Sequence, residues 1–199
     1  MSTREERAEA TRAQLLAAAT ELFAQRGYAA VGTEDVVRLA GLTRGALYHH
    51  FQDKRELFAA VHERLEQDLV IAIGERMSGA ASPGATDPMD QLLVGMRSFL
   101  DACTEPSVLR IALLDAPTVL GWARWREVDE RYGLGLVIAA LDAAMAAGVL
   151  RRQAVRPLAH LLLAALGEAA QLIAHAEDPH RTRAELEPAL LTLLKGLRA

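Results

Sequence analysis

Leu42-Thr43-Arg44-Gly45-Ala46-Leu47-Tyr48-His49-His50-Phe51-Gln52-Asp53-Lys54-Arg55-Glu56-Leu57-Phe58 is the stretch whose reading decides the fold. Thr43 is a residue type that caps a helix start. Gly45 has no side chain, so a helix can come close to another surface there. Leu47 and Phe51 stand at i,i+4 and share the face turned away from that surface. Asp53, with Glu56 three residues on, reads as a capping-box-like start for a following helix. Lys54 then sits beside a helix N-terminus, whose backbone N–H groups attract anions.

Upstream, Thr33-Glu34-Asp35-Val36-Val37-Arg38-Leu39-Ala40 reads as a short helix, with Thr33 as N-cap and two acids in its first turn. Gly41 closes it and Thr43 opens the next. Two short helices joined by a tight Gly-containing turn make a helix-turn-helix pattern. Before it, Leu15, Ala19, Leu22 and Phe23 recur at i, i+4, i+7 and i+8, the period of an amphipathic helix. Thr3 with Glu6 is a start signal for that helix, and Gly27 is its expected C-cap. Three helices therefore come from the first 51 residues. Tyr48, His49 and His50 supply hydrogen-bond donors suited to phosphate oxygens.

This unit resembles the tetracycline-repressor family of bacterial transcription regulators. The residues that carry the resemblance are Ala18 through Gly27-Tyr28, Thr33 with Val36-Val37, Ala40-Gly41-Leu42-Thr43, Gly45-Ala46-Leu47-Tyr48, His50-Phe51, and Lys54 with Leu57. The composite motif is matched without a gap over about a third of the chain. The resemblance implies an N-terminal three-helix unit that binds DNA. It also implies a larger all-helical domain that dimerises and binds a small molecule.

Composition is that of a helical globular protein. Over 199 residues, 51% are hydrophobic and only 5% aromatic. Net charge is −4, and residues 1–60 hold eight Lys/Arg and eight Asp/Glu. DNA binding cannot rest on a broad positive field. It would rest on a few placed donors, helix N-termini and the doubled contacts of a dimer. The single cysteine, Cys103, excludes an internal disulfide and suits a reducing cytosol. It reads as a small buried hydrophobe. The N-terminus shows no apolar signal core. The apolar stretches 132–150 and 157–174 are interrupted by Asp142 and by His160, Glu168 and Gln171, so no membrane span is expected.

The rest of the chain reads as helices with clear punctuation. A fourth runs from Lys54 to about Met77, and Ser78 through Thr86 is read as a flexible loop. Asp87-Pro88 opens the fifth. Pro106 and Pro117 bracket a short sixth, and a seventh runs from about Gly121 to Ala147. Arg156-Pro157 opens the eighth, which ends near Glu177. Thr182 with Glu185 is a capping box for the ninth, whose first turns Pro188 should kink or delay. The expectation is an all-α protein of about nine helices, with a helix-turn-helix domain over 1–53 and a C-terminal ligand-binding and dimerisation domain over 54–199.

Trp122 and Trp125 fall on one face of the seventh helix, either as core or as the lining of a pocket with Met96 and Phe99. On the eighth, His160, Ala164, Gly167, Glu168, Gln171 and His175 share a stripe beside Leu161, Ala165 and Leu172. It reads as a dimer seam or a pocket wall, and His160/Glu168/His175 matches no standard zinc spacing. Leu186, Leu190, Leu193, Leu194 and Leu197 form a second stripe on the ninth helix, suited to a helical dimer. Leu161, Ala165, Glu168, Leu172, Leu190 and Leu194 are the candidate interface.

No phosphate loop, metalloprotease pair, nucleophile elbow or CxxC is present in the sequence, so an enzyme is not expected. Neither a metal nor another cofactor is implied. The reading is a cytoplasmic homodimer on a near-palindromic double-stranded operator, a repressor released by an unidentified, mainly apolar effector. Arg44 is the candidate base contact, Gly45 the close approach, and Thr33, Thr43, Tyr48, His49, His50 and Lys54 the phosphate holders. Two alternatives stand beside it: a small-molecule-binding protein with a vestigial helix-turn-helix, and an effector-independent DNA-organising regulator.

Overall fold

The caps and apolar periods produce nine α-helices and one π-helix among the described residues of a computed structural model, which describes residues 3–79 and 87–199. In chain order these are α1 Thr3–Ala30, α2 Thr33–Leu39, α3 Arg44–His50, α4 Lys54–Gly79, α5 Pro88–Ala102, the π-helix Val108–Asp115, α6 Ala116–Leu120, α7 Trp122–Ala146, α8 Val155–Ala174 and α9 Pro179–Lys195. The fold is all-α, as expected. Most of the loop read over Ser78–Thr86, from residue 80 on, lies outside the described residues, as does the side chain of Thr3.

Two compact units form. The first takes the described residues of Met1–Leu65 together with Pro106–Trp125; the second takes those of Glu66–Glu105 and Arg126–Ala199. A boundary at 53/54 therefore leaves out of the N-terminal unit a segment, 106–125, that packs with it. Residues 54–65 of α4 belong to the first unit and 66–79 to the second.

The first unit's core is built by the α1 stripe. Leu15, Ala19 and Phe23 are fully buried with Val36, Leu47, Leu57 and Phe58. Phe58 meets Phe23 edge-on at 5.2 Å and Tyr28 at 5.0 Å between ring centroids, the arrangement ring quadrupoles favour. Trp125 closes the far side, its indole N–H donating to the Ala112 carbonyl at 2.8 Å. His62 is fully buried here, and desolvation pushes its pKa down to about 4.

The α1 helix keeps regular dihedrals as far as Gly27, which has φ 76° and ψ 162°. That region is open to glycine and almost closed to other residues. The bend points the Tyr28 N–H at Asp115 Oδ2, 2.7 Å away, while Arg110 stands 3.5 Å from the same carboxylate. The Arg110 guanidinium lies over the glycine, where an added Cβ would collide with its Nη2 and Nε. Gly27→Ala should therefore cost about 1–3 kcal/mol in backbone strain and displace Arg110 as well. Chemical unfolding checks this, and an unchanged midpoint would sink it.

Between Pro106 and Pro117 the chain winds as a π-helix rather than a bracketed α-turn, with Ala116 N–H bonding Ile111 O five residues back. Pro117 does not end the segment. It falls in the first turn of α6, where no N–H is needed.

In the second unit, Met89, Leu92, Leu141, Ala144, Leu158 and Ala159 pack into one apolar cluster. Asp87 caps α5, accepting from Met89 N–H at 2.9 Å. The start of α9 lies earlier than Thr182. Asp178 is its N-cap, accepting from Arg181 N–H, and Pro179 fills the first turn. Glu185, given a capping role from sequence, pairs instead with Arg181 at 2.9 Å. The helix continues through Pro188. By length and composition α8 could cross a membrane, unlike the sequence expectation; it packs against α5 and α9. Cys103 is buried, and burial pushes its thiol pKa up, away from thiolate chemistry.

Candidate DNA-contacting face and internal cavity

The turn between α2 and α3 is fixed by backbone bonds. Gly41 takes φ 67°, its N–H bonds Arg38 O at 3.3 Å, and Leu42 N–H bonds Val37 O at 2.9 Å. These two bonds make a Schellman closure, which requires a left-handed residue at Gly41. Thr43 Oγ1 then accepts from Ala46 N–H at 3.2 Å and starts α3. The α2 helix is capped one residue earlier than expected. Gly32 is the N-cap and its N–H is held by Asp35 Oδ2 at 3.1 Å, while Thr33 is the first helical residue.

Leu47 and Phe51 point into the core. The opposite side of α3 and its cap presents Thr43, Arg44, Gly45, Tyr48 and His49 to solvent, with His50 half-buried beside them. Thr33 joins this group through a hydrogen bond to the Tyr48 hydroxyl. That bond, followed by one from Arg44, holds the phenol below its ordinary pKa. A Cβ added at Gly45 would touch only Thr43 Oγ1, 3.9 Å away. Arg44 lies over the Tyr48 ring and pairs with Glu34 at 2.7 Å. Both partners are about two-thirds exposed, so the pair holds Arg44 by no more than about 1 kcal/mol.

Lys54 is placed differently from the phosphate role expected of it. Its ammonium donates to the Tyr28 and Val31 carbonyls at 2.9 and 3.0 Å and lies 4.0 Å from the Tyr28 ring centroid. It closes the end of α1 by donating to two carbonyls around the helix C-terminus, one of which, Tyr28, also accepts from the Val31 N–H at 3.4 Å. Sequence reading also missed Arg55, which donates to the Val119 and Leu120 carbonyls. No local pattern announces a bond across more than sixty residues.

A partly enclosed cavity of about 100 Å³ lies within the second unit. Met96 and Phe99 line it with Ile73, Leu92 and Leu163. Trp122 and Trp125 do not. Both belong to the first unit, where Trp122 is 57% exposed and Trp125 sits in the core. Leu190 and Leu194 also turn inward and line the cavity, each 7% exposed, so they are not surface residues of α9. An exposed apolar face on α8 is made by Leu161 and Leu172, with Glu168 and half-buried Ala165 between them; Leu193 of α9 is also exposed, at the edge of the cavity. His160 and His175 are exposed on α8.

Two acids interrupt the cavity wall. Glu66 of α4 and Asp129 of α7 are its only polar side chains among the described residues. Burial, then the neighbouring Asp129 charge, pushes the Glu66 carboxyl up to about 8; burial pushes Asp129 up to about 6. Glu66 looks in sequence like one more charge in a solvated run. Asp129 carried a usable signal: with Gly133, Leu136 and Ala140 it stands at i, i+4, i+7 and i+11, an acid on an otherwise small and apolar stripe.

Residues 15–61 match the family described as bacterial regulatory proteins, tetR family, and residues 89–197 match the tetracyclin repressor-like C-terminal domain. The HTH-type transcriptional activator FasR of Mycolicibacterium smegmatis is 36% identical over 90 residues, covering 45% of this chain and 39% of that protein. The HTH-type transcriptional regulator TtgR of Pseudomonas putida is 45% identical over 62 residues, 31% of this chain and 30% of that one. The chain thus spans well under half the length of these curated relatives. The crystal structure of a TetR-family transcriptional regulator from Pectobacterium atrosepticum aligns over 100% of this chain and 98% of its own, at 36% identity and a TM-score of 0.86. With its C-terminal match covering more than half its length and its likeness to the Pectobacterium protein running end to end, the chain belongs to the tetracycline-repressor family of DNA-binding bacterial transcriptional regulators.

Proposed function

We propose that the protein is a cytoplasmic homodimeric repressor. It reads a near-palindromic operator through α3 and is released when a small, mainly apolar ligand enters the cavity of the second unit. One observation carries the DNA reading: α3 buries Leu47 and Phe51 while its other side offers Arg44, Gly45, Tyr48 and His49 to solvent. Such a helix can lie in a major groove, with phosphate contacts setting its register and Arg44 reading a guanine. The cavity, lined by Met96 and Phe99 and apolar except for two acids, is where an effector would bind. A ligand there shifts operator affinity only by its differential affinity for the two states of the protein.

Selection of duplexes from a random pool, followed by shift assays, tests the reading. Wild type should enrich a two-fold sequence. Arg44→Ala should lose about 1–3 kcal/mol on that sequence and relax preference at one position per half-site. Because the Arg44–Glu34 pair is exposed, this loss should arise at the DNA and not from unfolding. Enrichment of no sequence would remove the regulator reading, and an unaffected Arg44→Ala would remove Arg44 from base recognition. Transcription from the selected site gives the sign of control.

A further inference from the structure

The cavity wall is unequal in its chemistry. Around Glu66 and Asp129 it is hydrocarbon, with methionine thioethers, and among the described residues it contains no cation and no side-chain N–H or O–H apart from the two acids. Asp129 Oδ2 is buried with no hydrogen-bond partner. A buried acceptor with no donor is rare in folded proteins and calls for an explanation. A buried carboxylate oxygen is more demanding still, and here only the nearby Arg126 charge, with no bond to Oδ2, offsets its lost hydration.

We propose that the cavity selects a small apolar amine in its protonated form, whose ammonium donates to Asp129 Oδ2 and the Glu66 carboxyl while its hydrocarbon part lies against Ile73, Met96, Phe99 and Leu163. The proposal rests on the reading of this cavity as the effector site and names the chemistry of the effector. Carboxylate and phosphate ligands are disfavoured by like charge. A neutral alcohol fills the space and can bond Oδ2, but it adds no positive charge to the partial attraction that Arg126 already supplies to Asp129. Hard metal ions need a shell of six or more oxygens, and this wall offers two carboxyls. The volume, about 100 Å³, is near that of apolar cavities that take up a single benzene ring, about 150 Å³. The raised carboxyl pKa values agree with this. At neutral pH Glu66 largely keeps its proton and Asp129 is largely ionised, so one negative charge faces one ammonium.

Calorimetry with benzylamine, benzyl alcohol and benzoate at neutral pH tests this. Benzylamine should bind with a dissociation constant at or below about 1 mM, at least about tenfold tighter than benzyl alcohol, and benzoate should not bind. Asp129→Asn should bring the amine down to the level of the alcohol, and Glu66→Gln should cause a smaller loss. Ala140→Leu adds bulk to the wall three turns along α7 from Asp129 and should weaken amine and alcohol together. That result separates cavity binding from cations gathered on an acidic surface. An alcohol bound as tightly as the amine, a preferred benzoate, no measurable probe, or a preference surviving Asp129→Asn would each overturn the proposal. Tight amine binding that leaves operator binding unchanged would support the cavity chemistry and remove its effector role. Absence of DNA binding without any probe would count only against the regulator reading.

Discussion

The homodimer proposed above should fall to monomer when Leu161→Asp and Leu172→Asp are combined, and lose the operator binding proposed for it at concentrations that saturate wild type. The two leucines are 69% and 48% exposed on one face of α8, and Leu193 is 56% exposed on α9. Large apolar side chains grouped this way mark an interaction surface. In a two-fold pairing the same patch appears on both copies. Each double variant would thus bring four carboxylates into one seam, desolvated and without counter-charges, a loss no single contact elsewhere could offset. A monomer presents one recognition helix instead of two and forfeits half of its phosphate contacts, hence a shallower salt dependence. Light scattering at micromolar concentration reads the first effect and shift assays the second. The contrast variant is Leu190→Asp. Leu190 is 7% exposed and lines the cavity, so it should unfold the second unit rather than yield a folded monomer. A dimeric Leu161→Asp/Leu172→Asp protein would refute this assignment of the interface.

That contrast shows where the sequence was legible and where it was not. The helix-turn-helix could be read almost residue by residue, because its signals are local: a Schellman glycine, a threonine cap, an i,i+4 apolar pair. Exceptions began where a side chain acts over a distance. Lys54 had the right position for phosphate, yet two carbonyls at the end of α1, 23 and 26 residues away, take its donors. On α9 the period placed five leucines on a broad stripe. Period alone does not say which edge of a wide stripe is buried, and the structure buries Leu190 and Leu194 against the cavity while Leu193, at its edge, stays 56% exposed. For Trp122 and Trp125 the i,i+3 spacing predicted their shared face, which their 4.7 Å ring contact reflects. Which unit that face would join depended on residues 106–125 packing with the N-terminal helices, and the sequence around Pro106 and Pro117 gives no sign of that partner.

Glu66 should make the protein lose stability as pH rises from about 4.5 to 8, where most acids in folded proteins do the reverse. Its carboxyl titrates near 4.5 in the unfolded chain and near 8 when folded. Between those values the folded state holds a proton that the unfolded state has released. Stability then falls with increasing pH, and the loss is complete once pH passes the folded value. Over the whole window the effect is on the order of 5 kcal/mol, from the free energy of each pKa unit. Asp129 adds the same sign between about 3.8 and 6. His62 opposes both between about 4 and 6.5, since its buried ring resists protonation that the unfolded chain accepts. Above pH 6.5 the Glu66 slope should therefore stand alone among these three groups. Urea unfolding between pH 6.5 and 8.5 should show a steady decline for wild type. Glu66→Gln should flatten it, because the amide keeps the shape of the protonated acid and cannot ionise. A parallel decline in both proteins would mean that the Glu66 carboxyl is solvated and already ionised at neutral pH.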